Sequence, residues 1–350
     1  MNKLSRVGID LAKSVYQLHG VDRSEQTIWR RRLTRGKWLK VLLDTIEPGC
    51  EIGMEACAGA HHWARQLQAK GFTVKLIAPQ FVKPYVKSNK NDANDAEAIC
   101  EAMSRPHMRF VAVKTVEQQD IQAVHRIRSG LLSQRTAKAN QIRGLVGEYG
   151  IVAPRGLHQL RRAVPWWLED AENGLSELFR SLLAELHRDL RYLDERVAAL
   201  DTLIARSVEE DPLARRLLAV RGIGPLTASA LAGALGDGSG FRKGREFAAS
   251  LGLTPRQHST GGRDRLLGIS KRGDPYLRTL LVHGARTVLY RAKGRDDWLS
   301  QWMNGLAKRK HPNVAAVALA NKTARIAWAI AAGEAKYEPA MAARPHSASA

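Results

Sequence analysis

The stretch RVGIDLAKSVYQLHGVD, residues 6–22, decides the fold of the N-terminal part of the chain. Two β-like runs, RVGIDLA and SVYQLHGVD, lie close together along the chain, which is typical of neighbouring strands joined by a short turn. The run TIWRRRL at residues 27–33 continues the same pattern. We therefore expect three consecutive strands in a meander.

Strand and helix patterns alternate over the residues that follow. The runs CEIGMEA and FTVKLIAP are typical of strands, whereas TRGKWLKVLLDTI, AHHWARQLQAKG and NDANDAEAICEAMS have the periodicity of helices. Thr34 is the predicted N-cap of the first helix. A meander followed by alternating strands and helices predicts an α/β domain over residues 1–116, with helices on the faces of a mixed sheet.

The charge of the chain restricts its partners. The 350 residues include 55 Lys and Arg but only 34 Asp and Glu, which gives a net charge of +21. Such an excess indicates a polyanionic partner, most often nucleic acid, with a membrane surface as the alternative. No apolar run approaches the roughly eighteen residues that span a bilayer, and the N-terminus lacks a signal-peptide core, so no membrane partner is expected. Cys50, Cys57 and Cys100 have no metal-ligand spacing, which fits a reducing cytoplasm.

Residues 117–208 are predicted to be nearly all helical. Leucine and other apolar residues recur every three or four positions from Leu175 to Ile204. A stripe of this length indicates a coiled coil or helical hairpin that mediates self-association, although a helix packed on its own domain would have the same pattern. Trp166 and Trp167 are expected to pack between helices, with base stacking as the alternative. A basic, mostly α domain at residues 209–335 and a disordered tail at 336–350 complete the predicted organisation.

Two aspartates stand three residues apart at the start of a predicted helix. Asp92 and Asp95 lie on one face of that helix, close behind Lys87 and Lys90. Like charges at this spacing repel each other unless a cation lies between them. Each aspartate alone also suits a structural role, Asp92 as an N-cap and Asp95 as a first-turn acid that complements the helix dipole.

Two further carboxylates stand at the ends of predicted strands. Asp10 ends the first strand and Glu55 ends a later one, so both side chains emerge at one sheet edge if those strands are neighbours. Four carboxylates together bind hard divalent ions such as Mg²⁺ or Mn²⁺, which retain open positions for phosphate. Lys87 and Lys90 would then contact the nucleic-acid backbone.

The blocks GIDLAKS, MEACAG and KNDANDAEAI resemble, in this order, the acidic blocks of the DEDD-type insertion-sequence transposases, the insertion sequence 110/1111 family. Their N-terminal domain is similar to the junction resolvase RuvC and has an RNase H-like fold. The resemblance implies that Asp10, Glu55, Asp92 and Asp95 form a catalytic metal-binding tetrad.

The C-terminal region contains two motifs that suit phosphate. Gly222 and Gly224 lie in a Gly–apolar–Gly turn before a helix, which resembles a helix-hairpin-helix element that grips DNA; a plain tight turn is the alternative. Further on, Ser259 and Thr260 precede two glycines. Several cations flank this hydroxyl pair: Arg256, Arg263, Arg265, Lys271 and Arg272.

The residues alone favour a basic loop that touches the DNA backbone over a serine nucleophile. The block LTPRQHSTGG…GISKRGDPYLR, however, resembles the part of the family's C-terminal domain that supplies a catalytic serine. Ser259 is the predicted nucleophile, and Thr260, which stands directly before Gly261, is the alternative.

The resemblance implies a DNA recombinase that moves its own insertion element through a covalent phosphoserine intermediate. It also implies a structured guide RNA and a homo-oligomer, either a dimer or a tetramer. Two other classes stay open. In a hydrolytic resolvase the carboxylates activate water and Ser259 has no chemical role, whereas a non-catalytic DNA-binding protein needs only the positive charge.

Overall fold

Six strands form one mixed sheet in the N-terminal part of the chain. The computed structural model describes residues 3–87, 92–333 and 337, apart from the side chain of Asp92. The chain divides into two compact units, Met1–Val116 and Glu117–Ala350. The sheet has the order β3-β2-β1-β4-β5-β6. Its strands are β1 (Arg6–Leu11), β2 (Val15–Val21), β3 (Thr27–Thr34), β4 (Glu51–Glu55), β5 (Thr73–Ile77) and β6 (Phe110–Val111).

The predicted meander is present. Strands β1, β2 and β3 pair in antiparallel fashion, while β4 is parallel to β1 and β5 is parallel to β4. The short strand β6, which has only two residues, pairs with β5 in antiparallel fashion. An N-terminal mixed α/β domain is therefore confirmed. Strand β6 was not predicted, because two residues are too few to show a period.

Helices cover both faces of the sheet. On one face, Trp38 and Leu42 of the first helix pack on Ile9 and Met54 in a common core. The first helix begins after Lys37, so the prediction of Thr34 as its N-cap is wrong. Thr34 is still paired with Val15 in β3, and its carbonyl oxygen accepts a hydrogen bond from the Lys37 amide in the turn. The helices of this unit are α1 (Trp38–Thr45), α2 (Ala60–Gln68), α3 (Pro79–Val82) and α4 (Asp92–Met103), with a 3₁₀ turn at Lys83–Tyr85.

Two long helices form an antiparallel hairpin in the second unit. They are α5 (Val116–Gly147) and α7 (Glu177–Glu210), and the shorter α6 (Leu157–Glu169) lies between them in sequence. Ion pairs connect the two long helices at matching positions along their length. The pairs are Arg128 with Asp201, Arg135 with Asp194 and Lys138 with Asp189.

The apolar stripe of α7 is divided between two surroundings. Leu190 of this stripe belongs to a buried core shared with residues of α5 and α6, and Leu186 packs against that core. Leu178 and Leu182 belong to the same predicted stripe but are 73% and 46% exposed. Part of the stripe therefore packs within its own unit, and self-association through a coiled coil stays a prediction.

Trp166 of α6 is exposed. The prediction that it packs between helices is wrong, because 76% of its surface is accessible. Leu160 and Val164, one turn apart, make the buried side of α6, so residue 166 falls on the opposite side. Trp167, in contrast, packs against the buried core of the helical hairpin.

The rest of the second unit is mostly helical, as predicted. One hydrophobic core joins its helices, and an exposed two-stranded hairpin interrupts them. The elements are α8 (Pro212–Leu217), α9 (Pro225–Leu235), α10 (Gly244–Ser250), β7 (Pro255–Gln257), β8 (Leu266–Ile269), α11 (Pro275–Arg291), α12 (Trp298–Arg309) and α13 (Pro312–Ala331).

A buried polar network connects four helices of the second unit, namely α5, α7, α9 and α11. The Nδ1 atom of His125 in α5 is hydrogen-bonded to the hydroxyl of Tyr276 in α11 at 2.9 Å. Its Nε2 atom is 3.2 Å from the hydroxyl of Ser229 in α9, which lies 3.4 Å from that of Ser207 in α7. Burial, together with the nearby charge of Arg128, lowers the pKa of His125 to about 4. The ring is therefore neutral at physiological pH.

One helix of the described chain, α13, is long and apolar enough to cross a membrane by length and composition alone. The sequence expectation that no run approaches this length is thus corrected. Lys322 and Arg325 interrupt the apolar letters, but the 18-residue window still reaches a mean hydropathy of 1.2. Half of that window is buried, and Ala316, Ala320 and Ala324 belong to the core of the second unit.

Candidate active site

Two glycines bring helix α4 close to the sheet. A Cβ atom at residue 8 of β1 would clash with the carbonyl oxygen of Ala96 and lie 2.6 Å from the amide nitrogen of Cys100. A Cβ atom at residue 53 of β4 would lie 2.7 Å from the Cγ atom of Met103. Helix α4 therefore packs directly over β1 and β4, with part of its main chain in contact with the sheet.

Asp10 and Glu55 stand on the sheet face that α4 covers. Each lies two residues beyond one of these glycines, and alternate residues of a strand share a face. Strands β1 and β4 are parallel neighbours with Gly8 opposite Gly53, so Asp10 and Glu55 fall at adjacent positions one step beyond the last pair of the ladder. Burial raises the pKa of the Cys57 thiol, and the charges of Glu55 and Asp10 raise it further, so both carboxylates act on one atom.

Helix α4 carries the remaining two acids in its first turn. Ile99 lies 3.2 Å from the Cβ position of Gly53, and Asp95 is one turn before Ile99. Asp95 is thus on the side of α4 that faces β4, toward the end of the strand where Glu55 lies. Asp92 is the first residue of the helix, and its side chain lies outside the described part of the chain.

The acids of the described chain do not by themselves form a closed metal cage. Among the described side chains, which exclude that of Asp92, no group of three His, Cys, Asp or Glu residues is arranged to hold a metal ion. The donor chemistry nevertheless suits a hard divalent ion, because every predicted ligand is a carboxylate. The tetrad of Asp10, Glu55, Asp92 and Asp95 stays a prediction.

The predicted nucleophile lies on the exposed hairpin formed by β7 and β8. Gly261 and Gly262 both have positive φ angles, 56° and 76°, as a type I′ hairpin turn requires. Thr260 and Arg263 form the bridge that flanks this turn. The next pair along the hairpin is Ser259 and Asp264, which therefore face each other across the two strands.

The side chain of Ser259 is hydrogen-bonded to a carboxylate. Its Oγ atom donates a hydrogen bond of 2.8 Å to Oδ1 of Asp264. The Nε2 atom of Gln257 donates to both partners, at 2.8 Å to Ser259 Oγ and 3.0 Å to Asp264 Oδ1. A hydroxyl within hydrogen-bond reach of a carboxylate, with a third group to orient both, is the arrangement of an activated nucleophile.

Thr260 has different surroundings. Adjacent residues of a strand point to opposite faces, so Thr260 shares a face with His258, Arg263 and Arg265 rather than with Asp264. The amide of His258 donates to the carbonyl oxygen of Arg265 at 2.9 Å, which confirms this register. The hairpin thus gives Ser259 a proton acceptor and places cations on the face of Thr260.

The structure places the predicted nucleic-acid-binding residues in different surroundings. Lys87 donates to Glu97 at 2.5 Å and lowers the pKa of that carboxyl, while Lys90 lies outside the described residues. Gly222 has a positive φ of 90°, and a Cβ atom there would lie 3.1 Å from the carbonyl oxygen of Gly284, so the packing on α11 accounts for this glycine. The others lie at exposed positions of the second unit: Gly224, Arg256, Arg263, Arg265, Lys271 and Arg272.

Sequence reasoning missed Asp264 and Gln257. Two glycines between Thr260 and Arg263 are the usual signal for a two-residue hairpin turn. This signal would have placed Asp264 opposite Ser259. The interpretation of the glycines as part of a phosphate-binding loop leaves this pairing out.

Two family models match the chain in the two regions that hold these residues. The model of a DEDD transposase, described as "Transposase", matches residues 7–151, and that of the "Transposase IS116/IS110/IS902 family" matches residues 214–300. Together with the N-terminal α/β sheet, these matches define a transposase of the DEDD type. Domains of this type typically use a divalent metal ion.

Relatives match over nearly the whole chain. A probable family 20 transposase of Pseudomonas aeruginosa is 52% identical over 96% of this chain and 99% of its own length. The transposase of insertion element IS1328 from Yersinia enterocolitica is 45% identical over 94% of this chain and 97% of its own. That of IS1111A from Coxiella burnetii is 43% identical over 96% and 92%. The chain belongs to the IS110/IS1111 family of insertion-sequence transposases, which act by cleaving and rejoining DNA.

Proposed function

We propose that this transposase cuts and rejoins DNA through a covalent phosphoserine intermediate in which Ser259 is the nucleophile. The observation that carries the proposal is the hydrogen bond of 2.8 Å from Ser259 Oγ to the carboxylate of Asp264. A serine hydroxyl is a weak nucleophile until a positioned base accepts its proton. Thr260, which stands on the opposite face of the hairpin, lacks this partner, and the pairing therefore favours Ser259.

The proton and the ester bond balance in this step. As Ser259 Oγ attacks phosphorus, Asp264 takes the hydroxyl proton, and one phosphorus–oxygen bond of the DNA backbone breaks. The departing DNA oxygen takes a proton from solvent water and leaves as a hydroxyl group. Resealing reverses the reaction when a hydroxyl end attacks the phosphoserine. One phosphodiester replaces another, so no nucleotide cofactor is needed.

The carboxylates of the first unit would hold the metal. Asp10, Glu55, Asp92 and Asp95 are the proposed ligands of Mg²⁺ or Mn²⁺, and the ion would supply charge that polarises the phosphate when it is bound. The close approach of α4 to Gly8 and Gly53 supports this assignment, because it brings the acids of α4 to the face that carries Asp10 and Glu55.

Several partners follow from the proposal. The net charge of +21 supports DNA as substrate and a structured RNA as guide, both of which are polyanions. We propose residues 117–208 as an oligomerisation region and residues 209–335 as the serine-bearing domain of a cytoplasmic protein. We further propose a homo-oligomer, a dimer or tetramer, in which the carboxylates of one protomer serve the serine of another.

A covalent-adduct assay tests the mechanism. The full-length protein is incubated with end-labelled element DNA and Mg²⁺, with and without the RNA that co-purifies with it, and is then denatured. We expect DNA linked to the wild-type protein and to Thr260→Ala, but not to Ser259→Ala. Adduct that persists in Ser259→Ala and disappears in Thr260→Ala would move the nucleophile to Thr260.

Other outcomes support the two competing classes. Cleavage without any adduct would indicate a hydrolytic resolvase in which water attacks the phosphate. Asp92→Asn and Asp95→Asn variants that retain all activity, or bind DNA more tightly, would indicate a non-catalytic DNA-binding protein in which only charge matters.

A further inference from the structure

A row of side chains crosses the sheet from the carboxylates to its exposed edge. In the meander, Asp10 pairs with Gln17, and Gln17 pairs with Arg32 of β3. Paired residues of antiparallel strands share a face, so Asp10, Gln17 and Arg32 all stand on the face that α4 covers. Glu55 is the next position of this row on the other side of Asp10.

The neighbouring row of paired residues shows where α4 lies relative to the edge strand β3. Gly8 pairs with His19, and His19 pairs with Arg30. The guanidinium of Arg30 donates to Glu97 of α4 at 3.1 Å, and Glu97 also accepts from Lys87. The ion pair between Arg30 and Glu97 shows directly that alternate residues of β3 reach the α4 face.

Within the described part of the chain, the side chain of Arg32 on this face has no hydrogen-bond or ion-pair partner. The side chain of Arg30 is paired with Glu97. The exposed side chain of Arg32 forms neither a hydrogen bond nor an ion pair with the described residues. Neighbouring strands are about 4.8 Å apart, so the backbone of Arg32 lies roughly 10 Å from that of Asp10. At that distance across solvent, salt screens most of the attraction between the two charges.

We propose that Arg32, on the edge strand β3, binds the phosphodiester backbone of the DNA strand that enters the carboxylate site. This inference rests on the proposed role of the carboxylates. The strand on which those acids act is DNA, and Arg32 stands on the same face about three nucleotide steps away, given a rise of about 3.4 Å per nucleotide. A guanidinium suits this position, because its fork of donors matches two phosphate oxygens.

Arg31 is a matched control supplied by the same strand. It is also exposed and carries the same charge, but it pairs with Leu18 and therefore stands on the opposite face, above the core that contains α1 and α2. Arg31→Ala and Arg32→Ala remove one positive charge each from adjacent positions. Both variants lose the same charge, so any difference in DNA binding between them reflects the sheet face on which the arginine stands.

The test measures binding of the full-length protein to a duplex from the element end at several salt concentrations, with Ca²⁺ in place of Mg²⁺. For Arg32→Ala we expect roughly tenfold weaker binding at low salt and a salt slope smaller by about 1, which is the loss of one phosphate contact. Arg32→Lys keeps most of the slope, and Arg31→Ala changes binding less than twofold. Circular dichroism verifies that each variant is folded.

A second measurement locates the contact. The photo-reactive residue p-benzoylphenylalanine replaces Arg32 or Arg31, and crosslinks are mapped on DNA and on the co-purified RNA. We expect DNA crosslinks from position 32, within a few nucleotides of the cleaved phosphate, and few from position 31. Equal effects of the two positions, or crosslinks from position 32 to RNA alone, would overturn the proposal. Neither measurement requires strand cleavage, so a failed adduct assay would leave this result interpretable.

Discussion

The hydroxyl of Ser259 donates its hydrogen bond to Asp264 from the facing position of a two-stranded hairpin. The carboxylate is supplied by the neighbouring strand, and Gln257 donates to both groups from two residues before the serine. The proton acceptor of the proposed reaction is therefore set by the register of β7 and β8. A change in the turn at Gly261 and Gly262 would alter that register.

Removal of the proton acceptor tests this relationship. Asp264→Asn keeps an oxygen that accepts from Gln257, but an amide does not take up the serine proton. We expect the rate of adduct formation to fall about 10²- to 10⁴-fold, which is the usual contribution of a positioned base. Single-turnover kinetics measures the rate. Asp296→Asn, a change of the same kind at an exposed loop position, serves as the control, and equal rates in the two variants would exclude Asp264 as the base.

The contact between α4 and the sheet has no room for an added carbon atom at residue 8. Gly8→Ala places a methyl group against the main chain of Ala96 and Cys100, so the helix must shift. We expect the free energy of unfolding of the N-terminal unit to fall by about 1–3 kcal/mol. Chemical denaturation of the full chain measures it. Gly36→Ala, where no atom lies within 4 Å of the added carbon, is expected to change stability by less than about 0.5 kcal/mol.

The buried ring of His125 makes stability depend on pH. Its pKa of about 4 in the folded protein lies below the value of about 6.5 in the unfolded chain. The unfolded state therefore binds more protons between these values, and folding loses free energy as the pH falls through this window. We expect a loss on the order of 3 kcal/mol from pH 6.5 to pH 4 that is absent in His125→Gln.

Urea denaturation at each pH separates this contribution from that of other groups. The exposed His158 is the control, because His158→Gln should retain the full dependence of the wild-type protein on pH. If the wild-type protein and His125→Gln lost the same free energy between pH 6.5 and pH 4, the ring would not be buried in its neutral form.

The helical hairpin depends on one shared carboxylate. Asp194 of α7 accepts hydrogen bonds from Arg135 of α5 at 3.1 Å and from Arg161 of α6 at 2.6 Å. Asp194→Ala leaves two partly buried guanidinium groups without this acceptor, and we expect a loss of about 2–3 kcal/mol of unfolding free energy. Glu195→Ala alters the exposed neighbouring position and is expected to have little effect on the thermal midpoint.

Mixed variants test whether protomers share catalytic groups. Asp95→Asn and Ser259→Ala are each expected to be inactive alone. Random exchange of subunits in a dimer would pair intact carboxylates with an intact serine in about a quarter of the sites, so a mixture should regain a similar fraction of the adduct. A mixture as inactive as its components would show that each serine works with the carboxylates of its own chain.

Local patterns predicted the N-terminal sheet well, because its strands alternate clearly and are separated by polar turns. The position of Thr34 could not be predicted, since a residue that suits an N-cap also suits the end of a strand. The apolar stripe of α7 combines Leu190, which is buried, with Leu178, which is exposed, because residues a turn apart meet different neighbours and the sequence does not name those neighbours. The glycine pair predicts a two-residue hairpin turn, and that turn places Asp264 opposite Ser259. The position of Asp264 can therefore be predicted only once the hairpin is recognised.

The glycines beneath α4 also have a consequence for how the acidic residues tolerate change. The main chain of α4 lies against the main chain of β1 at Gly8, with no side chain between them. The height of α4 above β1 is therefore set by main-chain atoms, whose geometry is the same in every residue. Substitutions on the exposed side of α4 leave that height unchanged. The main chain therefore fixes the distance between β1, which carries Asp10, and the first turn of α4, whatever side chains occupy the outside of this helix.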